Sequence, residues 1–192
     1  TIGVVSDTHV PDRVSRLHPN LESALRTHQP DYIFHTGDIS RVAVIDELAA
    51  IAPVYAVTGN RDFLLKREFP MNQDFLINGV KVLLTHGHKD FFNYWIDKLE
   101  YVLHQYHFKR YYCRLQKISP RAKVFIFGHS HHAENLKVDG RLFFNPGAAS
   151  LGEPPENRIS YGMLKFHPGG EVEGQVIPLT GYRVVLGKWK SL

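Results

Sequence analysis

His129 and His131 stand one residue apart, directly after the apolar run Val124-Phe125-Ile126-Phe127 and a glycine. In an extended chain, side chains two apart point to the same face, so the pair would aim two imidazoles at one spot. Converging neutral imidazoles beyond a strand end are the habit of metal ligands. Asp7 and His9 repeat the spacing after Ile2-Gly3-Val4-Val5, and Asp38, Asn60, His86 and His88 each follow another apolar run. A loop that merely contains such residues explains any one of these motifs as well. Asp7, His9, Asp38, Asn60, His86, His129 and His131 together offer imidazoles, carboxylates and an amide oxygen. That set suits two borderline divalent cations sharing a carboxylate, and Asp38, with two oxygens, is the natural bridge. The single cysteine, Cys113, rules out a thiolate-rich zinc site within the chain and an internal disulfide. It agrees with a reducing cytoplasm.

The elements that must carry these residues alternate. Residues 2–5, 31–35 and 54–57 read as strands; residues 17–28 and 41–52 carry helical patterns, the first with Asn20 as its cap and Pro30 as its stop. The order β-α-β-α-β implies right-handed crossovers and parallel strands, and in such sheets ligands gather beyond the carboxyl ends. Asp7, His9, Asp38 and Asn60 all fall there. Asn78-Gly79 marks a hairpin between residues 74–77 and 80–84. Further hairpins are expected at Asp139-Gly140 and at Pro168-Gly169-Gly170, with Asn145-Pro146-Gly147 closing the former, so the second half reads as mostly antiparallel.

With 192 residues, 43% apolar and 22% charged, the chain fits one globular domain over 1–192. No apolar run approaches the about 20 residues that span a bilayer, and no signal-peptide pattern opens the chain, so a cytoplasmic protein without a membrane partner is expected. A net charge of +4 mildly favours an anionic ligand but is too small to argue for nucleic acid. Twelve histidines raise the prior on metal chemistry.

Taken in order, Asp7-x-His9, Gly37-Asp38, Gly59-Asn60-Arg61-Asp62, Thr85-His86-Gly87-His88 and Gly128-His129-Ser130-His131 resemble the five blocks of the calcineurin-like metallophosphoesterases. The likeness runs from Ile2 to about Gly147 and points to the small bacterial and archaeal phosphodiesterases. It implies an α/β fold, a four-layer sandwich of two mixed β-sheets flanked by helices. One metal would take Asp7, His9, Asp38 and His131; the other Asp38, Asn60, His86 and His129. Manganese is the first expectation, with nickel, iron or zinc as alternatives. The implied enzyme is a metal-dependent hydrolase of small phosphate esters, a phosphodiesterase before a phosphomonoesterase. A hydroxide bridging cations about 3.5–4 Å apart would attack phosphorus in line, without a serine or cysteine nucleophile. A nucleotide phosphatase or nuclease of the same family is one alternative. A metal-poor protein-binding scaffold, like the retromer subunit of this fold, is another.

One position departs from the pattern. Many relatives carry a histidine after the Asn60 equivalent, and here it is Arg61. Arginine keeps its proton but can clamp a phosphate oxygen, which would favour leaving groups of low pKa. The alternative is Arg61 paired with Asp62 or another carboxylate. His88 is expected either to contact the phosphate or to support a ligand, His35 to pack behind the site, and Asn145-Pro146-Gly147 to give local support.

Residues 89–121 form an insertion rich in aromatic and basic residues. Phe92, Trp95, Ile96, Leu99, Val102, Leu103 and Tyr106 recur at helical spacing, with Lys98, Lys109, Arg110, Arg114 and Lys117 among and after them. One or two amphipathic helices packed on the sandwich explain this pattern. A cap over the metal pocket or a homodimer surface are sharper readings. Nucleic-acid binding is weakly supported, because helical packing explains the same residues.

Overall fold

Alternation along the first strand sets the layering. In β1 (Ile2–Val5) the buried Ile2 and Val4 join one apolar cluster and the buried Val5 another, as successive side chains of a strand face opposite ways. β1 pairs in parallel with β2 (Tyr32–His35), and β2 with β3 (Val54–Ala56). The crossovers carry α1 (Leu21–His28) and α2 (Ala43–Ala49), as the alternating pattern requires. On the other side β1 meets β9 (Ser160–Phe166), itself paired with β10 (Val172–Pro178), both antiparallel. The second sheet has the order β4 (Asn72–Ile77), β5 (Val80–Thr85), β6 (Val124–Ile126), β8 (Arg141–Asn145), β7 (Glu134–Val138). This computed structural model describes residues 1–88, 107–152 and 157–192.

Three clusters separate four layers. Leu21, Leu25, Val44, Ile45 and Leu48 of the two helices bury against Val5 and Ile33. Ile2, Val4 and Leu164 meet Val82, Leu84, Ile126 and Phe144 between the sheets. Behind the second sheet, Leu83, Phe125 and Phe143 pack on Leu115 of α3 (Phe108–Ile118). Two mixed five-stranded sheets with helices outside each are thus the expected architecture. The sheets approach closely at Phe144, whose ring occupies the space a side chain at Gly162 would need.

Several expectations change. The second half is mostly antiparallel as expected, except that β6 pairs in parallel with both β5 and β8. α1 begins at Leu21, four residues later than its apolar pattern suggested. Asn20 sits at the cap position, but its amide donates to Thr180 O at 3.0 Å instead of capping. The Asn78-Gly79 and Asp139-Gly140 hairpins form as expected, with φ of +48°, +80° and +49°, +69°, the positive values such two-residue turns demand. Asn145-Pro146-Gly147 leads out of β8 and does not close a hairpin.

A two-stranded ribbon, β11 (Tyr182–Val185) with β12 (Lys188–Ser191), gave no recognised signal. It clasps the approach to α1: Trp189 Nε1 donates to Arg16 O at 2.8 Å, and Ser15 N to Gly187 O at 2.8 Å. The aromatic stripe from Phe92 to Tyr106, with Lys98, lies outside the described residues. Its continuation in α3 turns Phe108, Tyr111 and Tyr112 toward the second sheet, and Arg114 donates to Gly87 O at 2.8 Å. Among the described residues no helix is long and apolar enough to cross a membrane.

Candidate metal centre

Every expected ligand stands just beyond the carboxyl end of a strand. Asp7 and His9 follow β1, Asp38 follows β2 and Asn60 follows β3, all from the first sheet. His86 follows β5, and His129 and His131 follow β6, from the second. The site therefore straddles the seam between the sheets, and all seven side chains converge there.

They do not converge through extended backbone. Asp7, His9, Asp38, His129 and His131 have φ of +51°, +47°, +53°, +69° and +57°. Left-handed backbone costs an L-residue about 1–2 kcal/mol, and it persists where the surroundings over-determine it. Here the loops are tied to one another. Asp7 N donates to Gly37 O at 3.1 Å, His9 N to Asp38 O at 3.0 Å and Gly128 N to His86 O at 3.2 Å.

The donors fall into two groups that share Asp7, with Asp38 reaching toward both His9 and His86. The ligating atoms of Asp7, His9 and His131 lie within 4.8 Å of one another, as do those of Asp7, Asp38 and His86. Asp38 Oδ2 is 3.7 Å from His9 Nε2, and its Oδ1 is 3.6 Å from His86 Nε2. Asn60 Oδ1 lies 3.1 Å from His86 Nε2 and 2.9 Å from His129 Nδ1. Backbone carbonyls fix two tautomers. His86 Nδ1 donates to Thr36 O at 2.7 Å, and His131 Nδ1 to Leu151 O at 2.8 Å, so each Nε2 turns a lone pair into the site. Metal-binding imidazoles are oriented in this way.

The electrostatics favour the same use. Burial pushes His9 down to about 2 and holds His129 well below the usual histidine range, so both are neutral donors at pH 7. Burial raises Asp38 to about 6, with His86 opposing the rise and Asp7 adding to it. Burial would raise Asp7 too, but the imidazoles of His131, His86 and His9 hold it well below the carboxylate range. Asp7 Oδ1 is buried without a hydrogen-bond partner among the described residues and faces ring nitrogens 3.4 and 3.8 Å away. A buried carboxylate oxygen facing imidazole nitrogens fits a cation.

A surrounding shell holds these groups, and much of it was invisible in the sequence. Asp7 Oδ2 accepts from Ser6 Oγ and from His129 N, and Ser6 Oγ accepts from Thr36 Oγ1. Ser150 Oγ donates to Asp7 O at 2.6 Å. Asp62 clamps two loops: Oδ1 accepts from Ile39 N and Ser40 N at 2.8 Å, and Oδ2 from Gly59 N at 2.7 Å. A buried acid three residues after a loop glycine was the available signal. Asn145 supports the histidine loop, donating to Gly128 O at 3.1 Å and Ser130 Oγ at 3.0 Å.

Arg61 pairs with Asp12 at 2.6 Å, not with Asp62, while its backbone N–H donates to Asp38 Oδ1 at 2.8 Å. His88 is buried at the edge, its ring 5.2 Å from that of His86 and 6.1 Å from that of His129. His35 packs behind the site: Nδ1 accepts from Gly37 N at 3.1 Å, which leaves Nε2 to donate to Thr8 Oγ1 at 3.2 Å.

Known proteins resemble this chain to different degrees. A probable metallophosphoesterase of Methanothermobacter thermautotrophicus is 31% identical over 150 residues, 78% of this chain and 77% of that protein. Vps29 of Entamoeba histolytica, solved in complex with zinc, matches 92% of this chain and 98% of its own, with a TM-score of 0.68 and 21% identity. A structurally and functionally characterised archaeal phosphodiesterase matches 92% of this chain and 99% of its own, with a TM-score of 0.58 and 23% identity. These two likenesses speak for the fold. Residues 1–169 match the family model described as the calcineurin-like phosphoesterase superfamily domain, and the chain belongs to that superfamily.

Proposed function

We propose that the chain is a metal-dependent phosphodiesterase acting on small phosphate esters. One observation carries the reading: imidazoles, two carboxylates and an amide oxygen converge at the seam, with Asp38 set between His9 and His86. Asp7, His9, Asp38 and His131 would hold one ion, and Asp38, Asn60, His86 and His129 the other. A pair of divalent cations supplies Lewis-acid polarisation of a phosphoryl oxygen and a water acidic enough to react near neutral pH. The chain's own part is to keep those lone pairs aimed inward. The Thr36 and Leu151 carbonyls take up the outer protons of His86 and His131. Arg61, steadied by Asp12, offers its guanidinium to a phosphate oxygen and favours leaving groups of low pKa. His88 contacts the phosphate from the edge.

The solved archaeal phosphodiesterase of the same fold supports a diester, and zinc in Vps29 supports a divalent metal. The nitrogen and oxygen donors suit manganese first, and zinc, iron or nickel as well. The single cysteine suits a reducing cytoplasm. Hydrolysis of bis(p-nitrophenyl) phosphate is expected to vanish with chelator and return with Mn²⁺. Asp38→Asn lowers kcat at least about 100-fold without changing the far-UV circular dichroism, by the scale of losses at metal sites. Arg61→Ala raises KM at nearly constant kcat. No hydrolysis with any of the four metals would leave a protein-binding scaffold of the same fold as the better reading.

A further inference from the structure

The turn that presents Asn60 also holds an aromatic ring out to solvent. Phe63, in the 3-10 turn Asp62–Leu64, is 79% exposed, and Met71, just before β4, is 40% exposed. A phenyl ring left so open contributes little to a core, and apolar surface grouped beside polar residues marks a place where something binds. Phe63 and Met71 line a cavity of about 560 Å³ whose other walls include Asn60, Arg61 and His88. Apolar walls with a few polar groups at one end are how pockets of this size hold small ligands. The polar end here is the candidate metal centre itself, so a phosphate seated there would direct its organic substituent toward Phe63 and Met71.

We infer that this cavity receives an aromatic ring carried by the phosphate ester, with Phe63 and Met71 as the residues that select it; the inference rests on the phosphodiesterase reading. The geometry suits that task. The carboxylate of Asp62, beside Phe63, is tied to Ile39, Ser40 and Gly59, so the ring rides on the Asn60 loop, which is fastened to the loop that carries Asp38. Arg61, tethered to Asp12, lines the same cavity. A flat aromatic group is shared by simple aryl esters and by nucleosides, and the probes below separate them.

Methylphosphonate, phenylphosphonate and adenosine 5′-phosphorothioate are titrated into the zinc-loaded protein by calorimetry. The Met71 ε-methyl resonance, assigned with Met71→Leu, is followed by NMR. Burying a ring should make phenylphosphonate at least about tenfold tighter than methylphosphonate. The aromatic probes should shift the Met71 methyl upfield, and Phe63→Ala should erase the advantage. Whichever aromatic probe gains more identifies a bare aryl group or a nucleobase as the occupant. Equal affinities for methyl- and phenylphosphonate, or an advantage that survives Phe63→Ala, overturn the pocket and leave the phosphate centre standing. Failure of all three probes to bind overturns the phosphate centre, and the pocket falls with it.

Discussion

Gly128 has no room for a methyl group. A Cβ there would collide with Ser6 Oγ and stand 2.6 Å from Thr36 Oγ1 and 2.9 Å from Asp7 Oδ2. Those hydroxyls are the chain of donors that fixes the Asp7 carboxylate. Gly128→Ala must therefore turn Asp7 without touching any ligand atom. The expected result is a fall in zinc affinity of about 10- to 100-fold, the usual effect of disturbing the groups that orient a ligand. Titration calorimetry measures it, and an unchanged affinity would show that Asp7 does not depend on this network. The candidate ligands stood out in the sequence, because each is a polar residue set after an apolar run. Ser6 and Thr36 were not, since a hydroxyl beside a strand end has no distinctive neighbour and its partner lies 30 residues away. The left-handed backbone at Asp7, His9, Asp38, His129 and His131 was equally hidden, because none is a glycine.

At the scale of elements, the β11–β12 ribbon encloses His18. Its ring lies 4.7 Å from Trp189 and 5.7 Å from Tyr182; Nδ1 accepts from Asn20 N, and Nε2 is buried without a partner among the described residues. Burial pushes this histidine down to about 4. The unfolded chain takes up the proton first, near its ordinary value of about 6.5. Stability that depends on a neutral His18 is complete above pH 6.5 and is lost as the pH falls toward 4. The margin of the wild type over His18→Gln in urea unfolding should thus narrow between pH 7 and pH 4. A constant margin would contradict the buried, neutral ring. The hairpins at Asn78-Gly79 and Asp139-Gly140 could be read from their turn residues. The ribbon could not, because its short strands mix basic and apolar residues and its Leu186-Gly187 turn is a weaker signal. Leu17 imitated a helical face while lying in the loop before α1. The parallel partners of β6 were also hidden, for Val124 meets Val82 and Leu142 through long connections.

For the molecule as a whole, a cation pair at the seam exists only when both sheets are in place. Ions that bind the folded chain and not the unfolded one stabilise it by about 2.7 kcal/mol per site at a hundred times Kd. Zinc or manganese should raise the melting temperature of chelator-treated protein in scanning calorimetry, and Asp38→Asn should remove most of that rise. A melting temperature indifferent to metal would mean that the centre does not load. The parallel strands of the first sheet were legible in the β-α-β-α-β order, whereas the four-layer sandwich was legible only through the resemblance to the family's five blocks. The seam was only implied, since which sheet each strand joins depends on pairings across the chain.

That seam has one more consequence. Four of the ligand residues ride on one leaf of the sandwich and three on the other, so their spacing is a caliper on how the leaves are stacked. A repacking of Phe144, deep between them and far from any charge, would slide the jaws and register first as a changed preference among metals of different radius.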